Sequence, residues 1–419
     1  MTDPDTSADS ALRIEAVFRE EHGRLLAALV HRFGDLDLAE EVASEAVEAA
    51  LIHWPMDGVP DRPGAWLLTT ARRRALDRLR RDRAYAERLA VLAVESERSA
   101  PRSVPEGDDL PDDRLELFFA CAHPALSPDD RIALILRCLA GLDTGEVARA
   151  FLVPRTTMAQ RIVRAKNKIR GARIPFRVPR PDELPERLPV VLGAVYSIFT
   201  EGYAASTGES LQRLDLAEEA IRLARILRKL MPSDREVTGL LALVLLVHAR
   251  REARTDSSGA LVLLADQDRA RWDLPMIDEG RCLVGEALTG GRPGPYAVQA
   301  AIAAVHDESE RADDTDWPQI VALYDVLGAL TPSPIVAVNR AVAVAMRDGP
   351  AAGLTLLEDL ADEPALRNHH PYVAARAELL HRLGRHDEAA DLYRRALDLA
   401  GTAPERRYLS MKLTEITLQ

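Results

Sequence analysis

The chain has 419 residues, 47% of them hydrophobic and 29% charged, with a formal net charge of −12. That length predicts two to four domains, the apolar fraction excludes wholesale disorder, and an aromatic content of 5% speaks against a β-sandwich. Three scattered cysteines, Cys121, Cys138 and Cys282, exclude a disulfide framework.

Residues 1–11 are polar and acidic, with neither the positive n-region nor the apolar h-region of a signal peptide. The longest apolar run, Leu240–Val247, is too short to span a bilayer, so a cytoplasmic product is expected. The acidity is uneven. Residues 1–180 carry 28 basic and 29 acidic side chains, whereas 181–419 carry 26 and 37, so the excess negative charge belongs to the second part. Only four basic residues are lysine (Lys166, Lys168, Lys229 and Lys412); the rest are arginine, which suits bidentate phosphate or carboxylate contacts.

The first elements read as helices. Leu12, Val17, Leu25, Leu26, Leu29 and Val30 recur at helical spacing, and Gly34 breaks the pattern. Over 37–53, Leu38, Val42, Val47, Ala50 and Leu51 alternate with Glu40, Glu41, Glu45 and Glu48. Pro55, Gly58, Pro60 and Pro63 mark a loop, and Pro63 suits the first turn of a helix over 64–83. That helix has seven arginines against two aspartates. Trp66, Leu67, Ala71, Ala75, Leu76 and Leu79 form its expected buried face, leaving Arg73, Arg74, Arg78 and Arg81 on the exposed sides, where they suit a phosphate backbone or a plain solvated surface. Residues 95–113 hold seven acidic residues with recurring Pro and Gly and no apolar period, the signature of a linker.

A second module starts near Asp113. An apolar-periodic helix ends at Gly141, a short helix runs to Phe151, and Pro154 precedes a final helix over 155–170, which is helix-turn-helix spacing. Val147, Ala148 and Phe151 are expected to pack on Met158, Ile162 and Ala165. Arg155, Thr156, Thr157, Gln160, Arg161 and Arg164 are then left outward, with Lys168 further along. Residues 155–173 hold seven basic residues and no acidic one. Arginine and glutamine suit guanine and adenine edges in the major groove; threonine and lysine suit phosphates. The Pro- and Arg-rich strap that follows cannot be a continuous helix.

From residue 185 helical patterning resumes and lasts to the end. Gly349 and Gly384 lie 35 residues apart, and the Gly…Ala…Tyr…Ala pattern around 384–396 looks like tetratricopeptide repeats. Six glycines interrupt the pattern over 255–315. Cys121, His123 and Cys138 lack a fourth ligand and match no common zinc spacing, Glu201–Glu209 lacks the ending of a phosphate loop, and no nucleophile–base set stands out. No metal, cofactor or enzymatic activity is expected.

An acidic helix, a Trp-containing arginine helix, an acidic linker and a helix-turn-helix, in that order, resemble a sigma-70-family sigma factor of the extracytoplasmic-function (ECF) type. The stretches around Cys121-Ala122-His123-Pro124, Ile174-Pro175-Phe176, Glu201-Gly202-Tyr203 and Asp316-Trp317-Pro318-Gln319 look like the ECF subgroup with a fused C-terminal tetratricopeptide-like domain. The resemblance implies an all-α protein: region 2 over 12–85, an acidic linker over 86–112, region 4 over 113–171, a strap over 172–184 and a helical regulatory array over 185–419. It implies that Asp37, Glu40, Glu41, Ser44 and Glu45 dock on the β′ clamp helices of core RNA polymerase. Trp66, Arg73, Arg74, Arg78 and Arg81 would serve the −10 element. Arg155, Thr156, Thr157, Gln160, Arg161, Arg164 and Lys168 would serve the −35 element. Ser44 stands where the family usually has Gln, and Arg73 where it usually has Asn. Implied partners are core polymerase (β′ clamp and β flap), promoter DNA, and a regulatory protein or small ligand at the array, with no membrane. The other reading of the same residues is a stand-alone helix-turn-helix regulator with a repeat sensor domain.

Overall fold

The computed structural model describes residues 21–90, 112–151 and 153–417, with backbone only for 82–90. Among them every regular element is helical, and pairing of extended backbone is confined to two isolated bridges, Gly208–Thr402 and Thr255–Leu261. The chain divides into two compact units, residues 1–195 and 196–419. Most of the expected acidic linker, 91–111, lies outside the described residues, as do residues 12–20.

The first unit begins with α1 (21–33), α2 (Leu36–Asp57) and α3 (Pro63–Ala90). Asp35 starts α2 by accepting the backbone N–H groups of Asp37 and Leu38 at 2.9 and 3.0 Å, which satisfies two donors that the helix leaves open. The buried stripe of α2 is rich in small residues: Ala39, Val42, Ala43, Ala46, Ala49, Ala50 and Trp54. α3 packs on it through Leu67, Leu68, Ala71 and Ala75. Leu51 and Leu76, expected inside, are exposed, because alanines fill the buried positions on either side. Trp66 is half-buried, meeting Trp54 edge-on at 5.4 Å.

The unit continues with α4 (Arg114–Cys121), α5 (Pro128–Cys138), α6 (Thr144–Ala150) and α7 (Arg155–Gly171). Ser127 caps α5, accepting from the Asp130 N–H at 3.2 Å, with Pro128 in the first turn. Asp143 and Glu146 form a reciprocal capping box at the start of α6, each accepting from the other's backbone N–H at 2.7 Å. The bond from the Glu146 N–H holds the Asp143 carboxyl below its ordinary range. The core of this part is Leu117, Phe118, Phe119, Leu134, Ile135, Leu136, Val147, Met158 and Ile162. α8 (Leu184–Tyr203) contains the boundary between the units; within the first unit, Arg187 donates to the Phe119 carbonyl at 2.7 Å.

The second unit is a succession of helices, each packed on the next: α9 (Leu214–Leu230), α10 (Arg235–His248), α11 (Leu274–Leu288), α12 (Pro295–Glu308), α13 (Trp317–Leu330), α14 (Pro334–Asp348), α15 (Pro350–Glu358), α16 (His370–Arg382), α17 (His386–Leu399) and α18 (Ala403–Thr417). The apolar run 237–246 is buried on all sides as the centre of this unit, against α9, α11 and α12. Among the described residues no helix is long and apolar enough to cross a membrane. The end of the succession returns to its beginning. The Gly208 N–H donates to the Gly401 carbonyl, and the Ala403 N–H to the Gly208 carbonyl.

Two glycines, Gly239 within α10 and Gly294 among those that interrupt the repeat pattern, mark close helix approaches. A Cβ on Gly239 of α10 would stand 2.5 Å from the Ala297 backbone nitrogen at the start of α12. A Cβ on Gly294 would meet the Glu236 side chain, which accepts the Tyr296 and Ala297 N–H groups at 3.0 and 3.2 Å and so caps α12 from α10. Gly239→Ala is therefore expected to force α10 and α12 apart and to destabilise the protein by about 1–3 kcal/mol. A denaturant titration followed by circular dichroism checks this, and an unchanged midpoint would refute the close-packing account.

Candidate nucleic-acid interface

α7 is two-faced. Met158, Ile162, Ala165 and Ile169 are buried, while Arg155, Thr156, Thr157, Gln160, Arg164 and Lys168 are exposed. Six of the seven residues expected outward on this helix are so placed. The seventh, Arg161, is not: its side chain is 23% exposed, paired with Asp129 of α5 at 3.0 Å and set over the Phe151 ring at 5.2 Å. Phe151, expected in the core, is half-buried and serves as that platform. Residue 161 borders the buried stripe, so its guanidinium reaches the N-terminal turn of α5 rather than solvent.

The same helix presents a residue that charge reasoning passes over. Val163 is 54% exposed between Gln160 and Arg164 on the free face. An uncharged row of Thr156, Gln160, Val163 and Asn167 therefore runs along the exposed side, flanked by Arg155, Arg164 and Lys168. The signal was available in the sequence as an apolar residue out of phase with Met158, Ile162 and Ala165.

The residues expected at the −10 element divide into two kinds. Arg73 is exposed, and Arg81 donates through Nε to the Asp77 carbonyl at 3.3 Å. Arg74 pairs with Glu45 at 3.1 Å, and Arg78 pairs with Glu41 and, at 3.8 Å, with Glu45. The α3 arginines are thus joined to the α2 carboxylates expected at the polymerase. Ser44 remains exposed beside them. An exposed apolar group, Leu51, Ile52, Met56 and Val59, lies at the end of α2 and in the following loop, near Trp54 and Trp66.

The other two α2 acids face the second module of the same unit. Asp37 and Glu40 both contact Lys166 of α7, Asp37 at 2.8 Å. Arg170 reaches Asp37, and Arg137 of α5 reaches Glu40 at 3.3 Å. His31 at the end of α1 and Glu116 of α4 make a further tie at 2.8 Å.

Around this seam several groups are shifted by their surroundings. Burial, followed by the nearby Arg32 guanidinium, lowers Arg72 below its ordinary value, against the pull of Asp113. Burial raises Asp112, but two 2.6 Å hydrogen bonds from Arg114 outweigh it and leave the carboxyl below its usual range. Cys121 and Cys138 are buried; a hydrogen bond between them, with burial, pushes the Cys138 thiol well up. His123 accepts the Ala125 N–H through Nδ1 at 3.1 Å. Among the described residues, His31, Asp113 and Glu116 bring ligand-type atoms together, but the His31–Glu116 bond already joins two of the three.

In the second unit the motif residues act locally. A Cβ on Gly202 would overlap the Ala217 backbone, Tyr203 lies under Arg254 at 3.5 Å, and Asp316 caps α13.

Sigma-70 region 2 matches residues 17–85, and sigma-70 region 4 matches residues 119–169. A family of unknown function, DUF6596, matches residues 187–288. The uncharacterized protein R00370 of Rhizobium meliloti (strain 1021) is 43% identical over 397 residues, covering 94% of this chain and 93% of that protein. Both sigma-70 regions stand in order on one all-α unit and a relative matches nearly end to end, so the chain belongs to the sigma-70 family, as an ECF-type sigma factor with a C-terminal extension.

Proposed function

We propose that this transcription-initiation factor directs core RNA polymerase to its promoters through three separable surfaces. The carboxylates and Ser44 of α2 dock on the β′ clamp helices. The α3 arginines, with Trp66 and the exposed apolar residues at the end of α2, receive unpaired −10 bases, for which an apolar platform flanked by cations is the fitting chemistry. The free face of α7 lies in the −35 major groove. The C-terminal unit, read as a tetratricopeptide-like array, sets the activity of the other two modules by contact with a partner or ligand.

The observation that carries this reading is the free face of α7. Its cations are exposed and of one sign, a row of groove-reading size and chemistry lies between them, and the opposite face is fully committed to the core. A solvated structural helix has no need of one-signed charge at residues 155, 164 and 168 around an exposed Gln160 and Val163.

The decisive experiment is in-vitro transcription with core polymerase and fragments of the source genome, comparing the full chain with a truncation ending at Val195. Promoter-dependent initiation is expected, with a yield that differs between the two. Absence of initiation from every fragment with either protein would sink the proposal, and equal yields would remove the array from regulation. On α7, Lys168→Ala should weaken duplex binding about equally for all sequences and lower the log–log salt slope by about 1, whereas Gln160→Ala should relax preference at a single base pair. A −35 duplex titration at several salt concentrations separates the two patterns.

A further inference from the structure

Resting on that reading, we infer that Val163 reads the 5-methyl group of one thymine in the −35 duplex, so that this factor senses the C5 substituent of a single pyrimidine. Among the described residues of α4 to α7, Val163 is the one large apolar side chain left exposed. Met158, Ile162 and Ile169 of the same helix are buried, as are Leu134, Ile135 and Val147 of α5 and α6. At 54% exposed, Val163 adds little to that core. A β-branched residue is also a poor choice for a solvent-facing helix position, because its χ1 is restricted against the preceding turn. The fold by itself gives no reason for a valine there.

Its place on the helix decides what it meets. At about 100° per residue, Thr156, Gln160, Val163 and Asn167 fall within about 60° of one another. The middle of that arc lies about 160° from the middle of the buried stripe, which is Met158, Ile162, Ala165 and Ile169. Val163 therefore stands on the ridge that enters a groove deepest. Arg164 and Lys168, exposed beside it, are set for the phosphates of the groove walls.

The one apolar group that protrudes into the major groove is the thymine methyl; the other distinguishing groups there are hydrogen-bond donors and acceptors. A valine set against a donor or acceptor strips its water and offers no bond in return. Set against a thymine methyl, it removes apolar surface from water on both sides. Gln160 precedes Val163 by three residues, about 4.5 Å along the axis, close to one base-pair step of about 3.4 Å. Its amide suits the N6 and N7 edge of an adenine. Together the two side chains select a thymine methyl within about one step of an adenine edge. The group recognised by Val163 is the methyl rather than the base, and 5-methylcytosine offers the same group.

The test removes that one methyl group. The full chain is assembled with core polymerase, and a promoter fragment is made with each −35 thymine in turn replaced by deoxyuridine. One replacement is expected to weaken binding about fourfold, the worth of one methyl group withdrawn from water. With Val163→Ala that loss should disappear. At the same position 5-methylcytosine should outbind cytosine, again only when residue 163 is valine. Alanine is the better helix former and the site is exposed, so the variant keeps the fold. No thymine whose methyl matters, or a methyl effect equal in the two chains, would overturn the assignment, while promoter-dependent initiation by the same complex leaves the promoter-directing function standing. A complex that binds no promoter fragment better than a random duplex would sink both.

Discussion

The first unit depends on one row of carboxylates. Asp37, Glu40, Glu41 and Glu45 lie off the buried stripe of α2, and each answers a cation on another element. The opposite stripe of α2 is mostly alanine, which lets α3 approach closely and brings Arg74 and Arg78 within reach of Glu41 and Glu45. Had that stripe been leucine, α3 would stand further off and the pairs would lengthen. Small side chains in the core thus set the electrostatics of the surface. The same row is divided between two neighbours, α3 on one flank and the helix-turn-helix on the other, so its charge is spent within the unit before any partner arrives.

Much of this was legible in the sequence, and the illegible parts have physical causes. The boundaries of α2, α6 and α7 follow from Asp35, Asp143 and Pro154, whose chemistry announces a helix start or forbids its continuation. The buried face of α7 follows from Met158, Ile162, Ala165 and Ile169 at helical spacing. Arg161 could not be placed, because periodicity assigns a residue to a face and says nothing about a carboxylate 32 positions earlier that captures it. The Lys166–Asp37 pair, 129 positions apart, was hidden for the same reason. Leu51 and Leu76 misled because a large apolar residue outside is common, whereas the alanines that fill the core carry little signal.

In the second unit the glycines misled in the opposite sense. Gly280 and Gly294 look like interruptions of a helical repeat, and Gly239 sits inside a helix. Each stands where another element comes too close for a Cβ: the α12 backbone at Gly239, Leu246 at Gly280 and Glu236 at Gly294. A weak repeat signal here records tight packing rather than absence of structure. The same logic explains the Glu201-Gly202-Tyr203 motif. Gly202 admits the start of α9, and the neighbouring Tyr203 ring carries the buried Arg254. The motif is consistent with a packing role, which makes a catalytic explanation for it unnecessary.

The net charge of −12 therefore says little about nucleic acid, and the arrangement on α7 says more. Its cations fall into two sets. Arg155, Arg164 and Lys168 face outward, while Arg161, Lys166 and Arg170 each hold a carboxylate. A helix with all six free would bind any duplex through counterion release, with no need of a promoter. Neutralising half of them within the chain lowers that sequence-blind attraction; under the proposed function, the uncharged row of Thr156, Gln160, Val163 and Asn167 then weighs more in the choice of site. Salt screens the exposed Arg170–Asp37 pair, while the more buried Lys166–Glu40 pair is screened less. The buried Lys166–Glu40 pair, rather than the total charge, sets how much of the positive charge of α7 is neutralised within the chain.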